Sequence, residues 1–204
     1  MKLTSAEEKG NYYNLYLDDK FFLKILKETF FKCNLKLDKE YNEEYLLEII
    51  NKANNDICYE KALNYIAKYT KTKKELKDYL IKKAFTSENA DFAINKLEEY
   101  NFVNDKLYAE NYIKYNTSKG KKFFVYELKK KGINENIINE VLENYNDENE
   151  LKFAITQAKK YLKNKEITEK TINGLYSNLS YKGFSFENIK NALKYIKDNE
   201  GENC

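Results

Sequence analysis

The 204-residue chain contains no His, Arg, Pro or Trp, so Lys supplies all 36 of its basic residues. The absence of imidazole excludes catalytic triads built on His and zinc sites ligated by His, and the absence of guanidinium excludes an arginine finger. A genome poor in G and C explains this bias without any functional cause. The missing residue types therefore exclude several enzyme classes but do not by themselves indicate a function.

Cysteine and long apolar runs are scarce as well. Cys33, Cys58 and Cys204 form neither a metal-binding spacing nor an even set for a disulfide framework, so we expect reduced thiols. No apolar run approaches the roughly 18 residues of a membrane-spanning helix, and the start, MKLTSAEEKGN, lacks the apolar core of a signal peptide. We expect a monomeric, cytoplasmic protein that does not bind membranes.

The N-terminal segment differs from the rest of the chain. Apolar residues alternate with other residues on both sides of a turn-like Asp-Asp-Lys sequence, which predicts a β-hairpin over 11–25. The alternating residues are Tyr13, Leu15 and Leu17 before the turn and Phe21, Leu23 and Ile25 after it. A helical pattern over 43–54 follows. We therefore predict an N-terminal hairpin and helix cap over 1–57.

A short phrase recurs three times after this cap: KELKDYLIKKAF at 74–85, KFFVYELKKKGI at 122–133 and NGLYSNLSYKGF at 173–184. Each copy is flanked by helical patterns that keep the same register, which is the signature of tandem repeats. The sequence predicts a mainly α fold in which three three-helix repeats, at 58–103, 104–147 and 148–204, form an elongated, curved array. Nine helices are expected between residues 58 and 198.

The predicted core follows the repeat. The first helices share a small residue (Ala62, Ala109, Ala154), and the second helices share an apolar pair (Leu76 and Leu80, Phe124 and Leu128, Leu175 and Leu179). Each second helix is followed by a residue suited to a left-handed conformation (Ala84, Gly132, Gly183), an apolar anchor (Phe85, Ile133, Phe184) and a capping residue (Thr86 or Ser87, Asn134, Ser185). Ala fits the left-handed position less well than Gly.

Charge is distributed unevenly although the net charge is only +3. Eight Lys face two acids between residues 61 and 83, and seven Lys face one acid between 114 and 131, whereas 86–105 and 134–150 are acidic. The lysines repeat with the core, which predicts a surface for phosphates or for an acidic protein. Its candidate residues are Lys71, Lys73, Lys74, Lys77, Lys82, Lys114, Lys119, Lys121, Lys122, Lys129 and Lys130. Lys74, Lys77, Lys122 and Lys129 lie away from the apolar pairs of the second helices, so we expect these four to be free to meet an anionic partner.

Catalytic motifs are absent from the sequence. Gly120-Lys121 has Tyr115 where a phosphate-binding loop needs its first Gly, and adjacent carboxylates such as Glu98 and Glu99 point apart on a helix. We predict a protein that is not an enzyme and that uses no cofactor and no metal.

The stretches at 62–85 and 100–133 resemble the signature of the RecX family, which regulates the RecA recombinase. The motif residues are Asp105, Tyr108, Ala109, Gly120, Leu128, Gly132 and, in the third copy, Gly183. We expect Asp105 to cap its helix, Tyr108 to hold that helix to its module and Ala109 to permit close packing. The resemblance implies a protein that binds the RecA filament on single-stranded DNA and restrains its ATPase, strand-exchange and co-protease activities. A helical-repeat protein that binds DNA independently of RecA is the alternative, and a generic interaction scaffold is a third possibility.

Overall fold

The computed structural model describes residues 1–143, 145 and 147–200. Cys204, which we expected to be a reduced thiol, lies outside the described residues. The chain begins with an antiparallel sheet in which each strand pairs with the next one along the sequence. Its strands are β1 (Leu3–Lys9), β2 (Tyr12–Leu17) and β3 (Lys20–Leu26).

The predicted hairpin is confirmed as β2 and β3, but the sheet has one more strand than the sequence indicated. β1 carries one buried apolar residue, Leu3, followed by polar and small residues, so it shows no alternation to detect. Asp18 and Asp19 form the predicted turn, and both have positive φ, as a tight two-residue hairpin requires. Phe21 does not face the core, because the register shifts after Leu15 and places Phe21 opposite Tyr16 on the exposed side.

A short helix, α1 (Lys27–Lys32), follows the sheet, and α2 (Glu43–Ile66) then runs without interruption through the expected boundary at residue 57. The two ends of α2 belong to different cores. Leu46 and Ile50 pack in the cluster formed with the sheet, whereas Ile57 and Ala62 pack in the core of the first repeat. The domain boundary at 57 stays a prediction, since one continuous helix serves both sides of it.

The remaining helices form the three predicted sets. They are α3 (Lys73–Lys82) and α4 (Ser87–Glu99) after α2; α5 (Asp105–Tyr115), α6 (Lys121–Lys130) and α7 (Glu135–Glu143); and α8 (Asp147–Leu162), α9 (Glu169–Tyr181) and α10 (Phe186–Glu200). With α2, nine helices therefore make up the three sets within the described part of the chain, where no strand occurs after β3. None of the described helices combines the length and the hydropathy of a membrane-spanning segment.

Each set of helices buries the core residues that the repeat predicted. The small residues of the first helices and the apolar pairs of the second helices are fully buried, and the three anchors are nearly so. They form one separate hydrophobic cluster per set. The predicted stops and caps are also confirmed. Ala84, Gly132 and Gly183 have φ values of 68°, 82° and 82°, and Thr86, rather than Ser87, caps α4 by accepting the N–H of Asn89.

The chain divides into two compact units. The first comprises Met1–Lys71 and Glu75–Val103, and the second comprises Thr72–Lys74 together with the described residues from Asn104 onward. Lys73 and Lys74, at the start of α3, therefore belong to the second unit, whereas the rest of α3 belongs to the first.

Candidate functional site

The lysines of α3 fall into two groups. Leu76 and Leu80 turn one side of the helix to the core, which leaves Lys74 and Lys82 exposed. Neither of these two lysines has an ion pair within the described residues. Lys77 is different, because its Nζ lies 2.6 and 2.8 Å from the carboxylate oxygens of Asp91. The hydrogen bond from Lys77 lowers the pKa of Asp91. The expectation that Lys77 is free is therefore wrong.

The lysines of α6 repeat this division. Phe124 and Leu128 face the core, and Lys122 and Lys130 are exposed without an ion pair in the part of the chain that the structure describes. Lys129 Nζ lies 2.7 Å from Glu135 Oε1, so the expectation that Lys129 is free is also wrong. Its charge is already balanced by a neighbour.

The four exposed lysines without an ion pair correspond to one another under the repeat, and one of them, Lys74, donates from Nζ to Lys130 O over 3.4 Å. Lys74 matches Lys122 and Lys82 matches Lys130, at the same offset of 48 residues that aligns Leu80 with Leu128. The two lysines of each helix are eight residues apart, or about 12 Å along the axis. We call these four residues the paired-helix lysines. The structure therefore narrows the predicted surface to one lysine near each end of each second helix.

The lysines at the helix starts are not explained by helix stability. Cations are favourable near a helix C-terminus and unfavourable in the first turn, where the helix dipole is positive. Lys82 and Lys130 lie in last turns, but Lys73, Lys74 and Lys122 lie in first turns, and α6 has no acidic residue in its first turn. A carboxylate already lies at each of these starts, Asp105 at α3 and Glu150 at α6, and it offsets part of the positive potential there.

The backbone N–H groups at these helix starts are already occupied. Lys73 N–H donates to Asp105 Oδ1 over 2.9 Å, and Lys121 N–H donates to Glu150 Oε1 over 3.0 Å. Lys122 N–H donates to the carbonyl oxygen of Gly183. An anion at either start would therefore contact lysine side chains rather than the backbone.

Four other predicted lysines, Lys71, Lys114, Lys119 and Lys121, lie beside aromatic rings. Lys71 Nζ lies 5.8 and 5.7 Å from the ring centres of Tyr65 and Tyr69. Lys114 is exposed at the end of α5, where it lines a cleft of about 320 Å³. Lys119 lies between two rings, and Lys121 is half-buried.

The motif residues are structural, and one of them acts differently from the expectation. Asn104, not Asp105, caps α5 by accepting the N–H of Leu107. Asp105 instead holds the start of α3 through the N–H of Lys73, so the predicted capping role is wrong. Ala109 is fully buried, as is Leu128 in α6. Tyr108 is half-buried and stacks on Tyr112, with the ring centres 6.2 Å apart.

The motif glycines permit close backbone contacts. Gly120 N–H donates to Lys182 O over 3.0 Å, and a Cβ on Gly120 would lie 2.4 Å from Gly183 O. A Cβ on Gly183 would lie equally close to the backbone nitrogen of Phe123. Gly132 has the equivalent place in the second repeat, but there a Cβ would meet the side chain of Lys74.

Two buried polar residues, Glu150 and Asn188, complete these contacts and were missed by the sequence reasoning. Glu150 is fully buried and accepts hydrogen bonds from Lys121 N–H and from Asn188 Nδ2, the latter over 2.9 Å. A signal for Glu150 exists in the sequence, because it stands four residues before Ala154 as Asp105 stands four before Ala109. An acid at this repeat position in two copies indicates a shared structural role.

The two described cysteines are free. Burial raises the pKa of the Cys58 thiol to about 12, and it also raises that of Cys33. No group of three or more His, Cys, Asp or Glu residues is arranged to hold a metal ion in the described ranges.

Comparison with known proteins identifies relatives along most of the chain. A family model described as the first three-helix domain of RecX matches residues 58–97. The chain is 39% identical over 189 residues to the regulatory protein RecX of Clostridium beijerinckii, an alignment that covers 90% of this chain and 88% of that protein. It is 33% identical over 200 residues to the regulatory protein RecX of Clostridioides difficile, covering 96% and 94% of the two chains.

Solved structures agree with this relationship. The crystal structure of RecX from Lactobacillus salivarius superposes with a TM-score of 0.65 and 30% identity, covering 71% of this chain and 97% of that one. A second crystal structure, of a regulatory protein RecX, superposes with a TM-score of 0.67 over 97% of this chain and 98% of the other. At 22% identity the second likeness concerns the fold alone.

Proposed function

Because the chain belongs to the RecX family of regulatory proteins, we propose that it is a negative modulator of RecA that binds the RecA filament on single-stranded DNA. In this proposal it restrains the ATPase, strand-exchange and co-protease activities of the filament. It acts in the cytoplasm as a monomer, by binding, and neither catalyses a reaction nor uses a cofactor.

One observation carries the binding part of the proposal: the paired-helix lysines occupy equivalent positions in two repeats and lack ion pairs within the described residues. Exposed lysines without an ion pair are suited to a partner with negative charge. Both DNA phosphates and an acidic groove of a protein filament have the required charge.

The proposal is tested by reversing the charge of these four lysines. We expect the variant Lys74→Glu, Lys82→Glu, Lys122→Glu and Lys130→Glu to need about tenfold more protein, or still more, to slow ATP hydrolysis by RecA on single-stranded DNA, because each reversal replaces an attraction by a repulsion. A matched variant reverses four other exposed lysines, Lys52, Lys170, Lys190 and Lys194. The matched variant should stay within about twofold of the unmodified protein, and equal effects of the two variants contradict the assigned surface.

Circular dichroism and thermal melting accompany this test and should be unchanged in both variants, because exposed helix positions contribute little to stability.

The alternative function, a DNA-binding protein that acts without RecA, would use the same lysines. The amount of protein needed for inhibition distinguishes it from a filament regulator. A competitor for DNA slows ATP hydrolysis only when enough protein is present to cover the strand. A filament regulator acts at substoichiometric amounts. Inhibition that appears only at saturating coverage would contradict RecA as the partner.

A further inference from the structure

A second group of lysines lies apart from the paired-helix lysines. Lys119 precedes α6, Lys160 lies on α8 and Lys182 follows the end of α9. Burial, and after it the charges of Lys119 and Lys160, lower the pKa of Lys182. Two further elements of the second unit therefore bring the ammonium groups of Lys119 and Lys160 close enough to Lys182 to repel its charge. We call these residues the three-lysine cluster.

The cluster has no counter-charge in residues 1–143, 145 and 147–200. No carboxylate lies within ion-pair distance of its members there, and Lys182 Nζ instead donates to the neutral Oε1 of Gln157 over 2.7 Å. Gln157 is buried and lies one turn before Lys160 on α8. Like charges held together without an acid cost stability, so core packing does not account for the arrangement.

The backbone holds the cluster in place. Gly120 N–H donates to Lys182 O over 3.0 Å, and Lys122 N–H donates to Gly183 O over 3.1 Å. The glycines allow this approach because a Cβ on either would clash with backbone atoms of the other segment. Lys119 and Lys182 are each adjacent to one of these glycines, so this contact sets the backbone positions from which their side chains extend.

Aromatic rings accompany the lysines. Lys119 Nζ lies 4.3 Å from the ring centre of Phe123 and 5.9 Å from that of Tyr181. Tyr181 is 83% exposed, more than any other large hydrophobic residue described, although it terminates a helix whose other side is buried. An exposed ring beside unpaired cations is the combination that binds single-stranded nucleic acid, in which bases stack and phosphates meet lysines.

We propose that Lys119, Lys160, Lys182 and Tyr181 form a binding site for single-stranded nucleic acid, in which the lysines contact phosphodiester groups and a base stacks on Tyr181. This inference rests on the DNA-binding part of the proposed function and assigns it a place in the second unit, on residues of the second and third repeats. An acidic protein segment would meet the same charges, but it does not require the exposed ring. The ring therefore favours nucleic acid.

The test measures binding of a fluorescent oligothymidylate by anisotropy at several salt concentrations. The variant Lys119→Gln, Lys160→Gln and Lys182→Gln should weaken binding about tenfold or more at low salt, and should make its salt dependence shallower, since each lost phosphate contact removes about 0.7 from the log–log slope. A matched variant, Lys163→Gln, Lys170→Gln and Lys194→Gln, removes three exposed lysines and should bind as the unmodified protein does.

Tyr181 provides an independent arm, because so exposed a side chain contributes little to folding stability. Tyr181→Ala should weaken binding about fivefold or more with an unchanged salt slope, and Tyr181→Phe should restore it, since the ring alone is needed for stacking. The inference is overturned if the unmodified protein does not bind oligothymidylate or if Tyr181→Ala leaves the affinity unchanged. It is also overturned if polyglutamate competes as well as oligothymidylate does.

RecA-dependent ATP hydrolysis separates this inference from the proposed function. If the three-lysine variant loses oligothymidylate binding but still restrains RecA, the site is supported and the filament contact lies elsewhere. If the variant binds oligothymidylate normally but no longer restrains RecA, the cluster contacts protein, which overturns the inference and leaves the proposed function standing.

Discussion

At the start of α3, Lys73 N–H donates to Asp105 Oδ1, and at the start of α6, Lys121 N–H donates to Glu150 Oε1. In each case the acid stands four residues before the small residue of a first helix. We call the contact of Thr72 and Lys73 with Asp105 and Lys131 the first contact, and that of Gly120 and Lys121 with Glu150 and Lys182 the second contact. Beyond the shared hydrogen bond these two contacts differ. Beside Lys73, Thr72 Oγ1 donates to Lys131 O over 2.8 Å, so a side chain makes the bond that the backbone of Gly120 makes with Lys182 in the second contact.

The difference determines how each contact tolerates change. In the first contact, Gly132 faces the flexible side chain of Lys74, which can move. In the second contact, Gly183 faces the backbone of Phe123, which cannot move without shifting α6. One repeated phrase therefore produces a contact through side chains in one place and a contact between backbones in the other, and the second depends more strongly on glycine.

The largest expected effect follows from this contrast. Gly183→Ala should lower the free energy of unfolding by about 3 kcal/mol or more, because the new Cβ meets backbone and the positive φ strains a non-glycine residue. Gly132→Ala shares the strain but meets only a side chain, so its cost should be about 1–2 kcal/mol. Urea unfolding followed by circular dichroism measures both. Equal losses would show that the two backbone segments of the second contact separate easily.

The buried acid Glu150 gives the next effect. Glu150 accepts from both Lys121 N–H and Asn188 Nδ2, so Glu150→Gln places an amide N–H against one of two donors and should cost about 1–3 kcal/mol. Glu143 is an exposed acid, so the control variant Glu143→Gln should cost less than about 0.5 kcal/mol. The same unfolding measurement compares the two variants, and a larger loss from Glu143→Gln would contradict the ranking.

The repeat made much of the fold predictable, because core positions recur at fixed spacing and three copies confirm one another. Ala84 was identified as a left-handed stop in this way. The contact of Asp105 was not predictable from periodicity, because capping is a local rule whereas Lys73 lies 32 residues upstream. β1 escaped detection because one apolar residue, Leu3, produces no alternation, and pairing with β2 supplies its order.

The candidate site was predictable to a smaller extent. The sequence located the lysines of α3 and α6 on exposed sides, since the apolar pairs fix the buried side. It did not show that Lys77 and Lys129 are neutralised by Asp91 and Glu135, because such pairs depend on how neighbouring helices and turns place their side chains. It also did not reveal the three-lysine cluster, whose members come from three separate elements.

The smallest expected effect concerns Ala84, which has the place in the first repeat that Gly132 and Gly183 have in the other two. Ala84 has a φ of 68° and is exposed, so Ala84→Gly removes left-handed strain without removing a buried contact. The strain relieved, about 1–2 kcal/mol, exceeds the entropy that glycine adds to the unfolded chain, so the variant should be more stable by about 0.5–1 kcal/mol. Ala67 is a matched control, because it is also exposed at a helix end but has a right-handed φ of −59°. Ala67→Gly should therefore destabilise by about 0.5–1 kcal/mol. Urea unfolding should thus give opposite signs for the two substitutions, and a loss of stability in both would mean that the first repeat accommodates Ala84 without strain.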